Sequence, residues 1–151
     1  KKPAAMDTAN WATHKALLSQ LYHQAALLNF VDGNLADANA QATKATTLKP
    51  TDPQAFALLG MVINQEYMKS AEAYKTMPEG ADKAATLTKL MGMLDQVIDA
   101  YAHAVALATG VPEQQAMMQQ LTSDLTSYYK FRHNNSTEGM QELIDKYKPK
   151  P

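Results

Sequence analysis

Four histidines, His14, His23, His103 and His133, are the residues best suited to acid–base or metal chemistry in this cysteine-free chain. A zinc pair on one helix needs two histidines four residues apart, so that both reach the same face. His14 and His23 are nine apart, about half a turn out of phase, and the other two stand alone. The chain has no glycine-rich phosphate loop, no nucleophile elbow and no paired-carboxylate motif. No catalytic residue, metal ligand or cofactor is therefore expected.

Charge narrows the partners. The 151 residues carry a formal net charge of −1 with both signs interspersed, and Arg132 is the one arginine. A protein that grips phosphate backbones concentrates Arg and Lys on one face, so nucleic-acid binding is not expected. Apolar runs are as short as Ala55 to Leu59, far from the roughly 20 residues of a membrane-spanning helix. The chain begins at Lys1 rather than methionine, which a removed signal peptide would explain. Export to the periplasm or the exterior is the expectation. Asn134-Asn135-Ser136-Thr137 holds two overlapping glycosylation sequons in a polar break.

The elements that position these side chains read as helices throughout. The composition favours Ala, Leu, Met, Gln and Lys, all strong helix formers. The first helix begins near Asp7, with Asp7 as cap and Met6 and Trp11 as a hydrophobic staple. Apolar residues then recur at helical spacing: Leu17, Leu18, Leu21, Tyr22, Ala25, Leu28 and Phe30. Asp32-Gly33 ends it, and a second helix runs from about Asn34 to Leu48, closed by Pro50. Asp52-Pro53 opens a third, and Pro78-Glu79-Gly80 turns into a fourth, from about Asp82 to Ala108. Thr109-Gly110-Val111-Pro112 breaks it. A fifth helix spans roughly Glu113 to His133, with Leu121, Leu125 and Tyr128 inward, and a short sixth reaches about Tyr147. No strand pattern is present. Tyr128, Tyr129, Phe131 and Tyr147 read as residues that pin the last helix down.

One internal repetition stands out. Phe56, Leu59, Gly60 and Ile63 recur, 34 residues earlier, as Tyr22, Ala25, Ala26 and Asn29. Gly33, Leu35, Ala38, Ala42 and Ala45 follow, closed by Pro50. This pattern resembles the tetratricopeptide repeat, whose period is 34 residues. Small residues at Ala26, Ala38, Ala45 and Gly60 allow close helix approach, and Tyr22 and Phe56 fill the space beside them. Leu59, Tyr101 and Ala104 complete the repeat-packing set. The stretch from Tyr128 to Lys148 also resembles the ends of exported bacterial proteins of this kind.

The resemblance implies an all-α superhelix of about three antiparallel helix pairs in a single domain over 1–151. Residues 1–6 would form an N-terminal arm and 148–151 a tail. The second pair is expected to be elongated, because about 25 extra residues separate Ile63 from Val97. The third pair is expected to cap the array. The family further implies a groove along the first helix of each pair, here lined by His23, Leu27, Phe30, Val31, Gln54, Ala57, Met61 and Asn64. The tip of the long hairpin, at Tyr74, Met77 and Pro78, is a possible interface. The expected function is a non-enzymatic scaffold that binds a protein or peptide. The alternative is a self-assembling subunit of a homo-oligomer or extracellular fibre.

Overall fold

The chain folds into six α-helices: α1 Thr8–Val31, α2 Leu35–Leu48, α3 Pro53–Lys75, α4 Ala81–Ala108, α5 Gln115–Arg132 and α6 Met140–Lys146. A 3-10 turn over Pro112–Gln114 leads into α5. The computed structural model describes residues 8–149, with side chains from His14 on. The expected cap at Asp7, the staple of Met6 and Trp11, and the arm over 1–6 fall outside what is so described. No strand occurs among the described residues.

Local chemistry sets the boundaries. Gly33 takes φ +79 directly after α1, a left-handed step that costs glycine little. Asp52 caps α3 by accepting from the Gln54 backbone N–H at 3.0 Å, with Pro53 at the first helical position. Gly110, at φ +82, follows the end of α4.

Each helix packs on the next, α1 on α2, α2 on α3, α3 on α4 and α4 on α5. The connections are short, so these neighbours run antiparallel. α6 does not pair chiefly with α5; it packs on α4. The tie is a stack of three rings. His103 lies between Phe56 of α3, with centroids 3.6 Å apart, and Tyr147 at the end of α6, at 4.2 Å. The Tyr147 hydroxyl donates to Asp99. Arg132, at the end of α5, grips Asp95 of α4 through two bonds of 2.8 and 3.2 Å.

Two cores result. The larger surrounds α4 and holds Leu94, Val97, Tyr101, Leu121, Leu125, Tyr129 and Ile144. The smaller joins α1, α2 and α3 through Ala26, Ala38, Ala42, Leu58 and Val62. Its alanines bring α1 and α2 so close that the buried Ser19 hydroxyl donates to the Ala45 carbonyl at 2.9 Å. The remaining repeat-packing residues divide between depths. Tyr101 and Ala104 are buried, whereas Tyr22, Phe56 and Leu59 are half-buried. Tyr22 also lies under the Lys44 ammonium, 5.1 Å from its centroid.

The tightest approach is at Gly60. A Cβ there would stand 2.5 Å from Cδ1 of Tyr101 and 3.4 Å from the Ala100 methyl. The Tyr101 ring lies flat against bare α3 backbone. Burial pushes its phenol well above the ordinary tyrosine range.

The α3–α4 hairpin is long on its α4 side: α4 has 28 residues and α2 has 14, while α3, at 23, is no longer than α1 at 24. The extra length expected of the second pair therefore falls on one helix of the two.

Gly60→Ala is expected to destabilise by about 1–3 kcal/mol through overpacking, despite a helix-propensity gain of about 1 kcal/mol. Urea denaturation measures this, and the cost should shrink in a Tyr101→Leu background, because the two sites share one contact. A second expectation concerns acid. Burial holds the His103 imidazole below its ordinary value; Asp99 opposes that shift and Lys146 adds to it. An unfolded histidine takes its proton near pH 6.5, and folded His103 does so lower. Between those points the unfolded chain binds more protons, so stability falls as pH drops below about 6.5. His103→Phe, which keeps the stack, should flatten that slope in urea midpoints taken between pH 7.5 and 5.5. Equal slopes would remove His103 as a source of the acid sensitivity.

Candidate surface for protein binding

α1 and α3 lie side by side at the open edge of the array, and their shared face is the sequence-expected groove. α5 and α6 pack on α4 and leave this face uncovered. Leu27, Val31 and Met61 are 39, 75 and 43% exposed, and Gln54 is exposed as well. His23, Phe30 and Asn64 are half-buried. Ala57 is different: at 6% exposure it belongs to the large core. It supports the wall from beneath and offers no surface to a ligand, because the turn of α3 that carries it faces the α4–α5 side.

The structure brings His23 and Gln54 together in one cleft of about 630 Å³ between the first half of α1, the α2–α3 turn and the C-terminal end of α4. Leu17, Leu21, Leu107 and Val111 supply its apolar wall. Gln20, Gln24, Gln54 and Gln114 supply amides that donate and accept. Its charges are already matched, since Lys49 and Asp52 stand 3.5 Å apart. The cleft thus suits a neutral ligand with apolar side chains and exposed amide groups. Leu27, Phe30, Val31, Met61 and Asn64 lie outside the cleft.

Asn64 is the odd member. Its Oδ1 is shielded from solvent and has no hydrogen-bond partner. A buried acceptor left unmet costs about 1–3 kcal/mol, and most such groups in folded proteins find a partner.

A second cleft, of about 490 Å³, opens where α2, α3 and α4 meet, over Phe56, Leu59, Ile63 and Ala100. Its carboxylates are engaged from outside: Asp95 by Arg132 and Asp99 by Tyr147. The pattern of the sequence gave no sign of this cleft.

The hairpin tip is less bare than its sequence suggests. Tyr74 and Met77 are half-buried, and Pro78 is exposed. The Lys83 ammonium covers the Tyr74 ring at 5.3 Å and pairs with Glu79 at 2.5 Å. The tip supplies its own cover. Asn134 and Asn135 are exposed and adopt left-handed backbone, with φ +51 and +65, where α5 ends. Among the described residues no group of three or more His, Asp or Glu side chains could hold a metal ion, and no helix is long and apolar enough to cross a membrane.

One surface feature escaped the periodicity. Leu17, Leu18, Leu21 and Leu28, the apolar residues that mark α1 as a helix, are 40 to 67% exposed. The face that α1 buries on α2 consists instead of Ser19, Ala26 and the half-buried Tyr22, Asn29 and Phe30. Apolar residues ring α1, so their spacing alone names no inner face.

No family model matches the chain, and no curated protein or solved structure is significantly similar to it.

Leu27→Ser and Met61→Ser should each change stability by less than about 0.5 kcal/mol, as surface substitutions do. Leu94→Ala, at a side chain with 0% exposure, should cost about 2–5 kcal/mol. Urea denaturation of the three variants makes the comparison. A cost at Met61 like that at Leu94 would mean that the face is covered in solution.

Proposed function

We propose that this protein is a non-enzymatic interaction scaffold of the tetratricopeptide kind, which binds a segment of another protein along the α1–α3 face. The observation that carries the reading is that this face stays uncovered while α5 and α6 pack on α4. Leu27 and Met61 stand exposed on it from two different helices, an arrangement that an apolar peptide face could bridge. The cleft at its end adds four glutamine amides and a self-neutralised ion pair. The favoured ligand is therefore a neutral, amphipathic segment with its polar backbone groups available. Asn64 has an unmet acceptor to offer it. The repeated small residues support the same reading. Ala26, Ala38 and Ala45 have no exposed surface, as close stacking of repeats requires.

Family members that clamp a terminal carboxylate do so with Lys and Asn on this face. Here His23, Leu27, Ala57 and Met61 occupy those places, so recognition of a chain terminus is not part of the proposal.

Panning a displayed library of random peptides against the immobilised chain tests the reading. Enriched sequences should be poor in charge, with apolar residues at helical spacing, and Leu27→Glu with Met61→Glu should weaken their binding at least tenfold while the helical circular dichroism is unchanged. Failure to enrich any peptide, or equal binding to the double variant, would sink the α1–α3 face as the binding surface.

A further inference from the structure

α1 has two faces. One packs on α2 through Ser19 and Ala26. The opposite one is bare: Leu17, Leu21, Leu28 and Val31 are 53, 57, 67 and 75% exposed. With Gln24 between them they are spaced four, three, four and three residues apart. That alternation is the core spacing of a coiled-coil seam, a narrow line along one side of a helix. From Ala16 to Val31 there is no Asp, Glu, Lys or Arg, so this stretch does not repel a like surface.

The two ends of the array differ. Stacked helical repeats close with a polar outer face. α5 has one, exposing Gln119, Gln120, Ser123 and Ser127. α1 has none. An apolar end facing a polar end does not stack head to tail, whereas two apolar ends related by a two-fold axis match.

We propose that the outer face of α1 pairs with the same face of a second copy of this chain, giving a closed, two-fold homodimer. An antiparallel arrangement about Gln24 sets Leu17 and Leu21 of one copy beside Val31 and Leu28 of the other. It also brings the two Gln24 amides together at the centre, where each donates to and accepts from its mate. The helix macrodipoles are then opposed, which favours the pairing. α1 has 24 residues, which makes it about 36 Å long and about 10 Å wide. The contact therefore covers on the order of 400 Å² of each copy, about half the area of a standard interface. Such a dimer comes apart on dilution. A lipid surface fits less well, because helices that lie on membranes carry Lys and Arg on their polar face, and the other face of α1 is buried on α2. The contact closes on itself and does not propagate into a fibre.

Sedimentation equilibrium of the whole chain over a hundredfold range of concentration tests this. The mass should rise from 16.6 kDa and level off at twice that value. Leu21→Glu with Leu28→Glu should hold the mass at the monomer value throughout and leave the melting temperature of dilute protein unchanged, since both side chains are exposed. Gln24→Leu, which removes the polar layer, should shift the midpoint at least tenfold toward lower concentration. Three results overturn the proposal: a constant monomer mass, which would leave the face to a different partner; a mass that climbs past the dimer; or a dimer that survives both glutamates. The variants spare Leu27 and Met61, so the peptide-binding reading stands or falls separately.

Discussion

The contact on which the rest depends is the flat approach of Tyr101 to the backbone of α3 at Gly60. Any side chain at residue 60 would push α4 outward. α4 is the hub of the molecule: α3, α5 and α6 all pack on it. Its position therefore decides whether Phe56 can reach His103, whether Arg132 can reach Asp95, and whether Leu121 and Leu125 find a core. The smaller core obeys the same rule. Alanines at 26, 38, 42 and 45 let α1 and α2 come close enough for a serine to replace a larger apolar side chain. Close approach, rather than large buried side chains, organises the first half of the array.

How much of this was legible in the sequence depends on the range of the interaction. Helix ends follow from residues that act on their own backbone, such as Gly33, Asp52-Pro53 and Gly110, and their positions agree with the sequence to within a few residues. The small residues at helix crossings were legible for the same reason, since a missing side chain is visible in the sequence itself. Longer-range pairings were not. Nothing in the spacing of His103 says that it stacks between residues 56 and 147, and nothing near Tyr147 names Asp99 as its partner. Those pairings exist because α6 turns back on α4, a choice made by the shape of the whole core.

The candidate surface divides in a similar way. Exposed Leu27 and Met61 match the expected groove, while Ala57 lies in the core because its turn of α3 meets the α4–α5 side. On α1 the apolar positions gave the helix and hid its orientation. With leucines around most of its girth, the side that is buried is decided by which face is small enough for α2 to approach. A stripe of large apolar residues marks the core only when the helix also has a polar side.

The stack of Phe56, His103 and Tyr147 has a further effect on the chain as a whole. Almost every other helix contact joins neighbours in sequence, the situation in which repeat proteins come apart one unit at a time. The three rings come from α3, α4 and the end of α6, and they bind the last turn of the chain to its middle. Loss of the terminal helix is thereby coupled to strain two helices away. The array gains the all-or-none cooperativity of a small globular domain, which a chain of independent hairpins would lack.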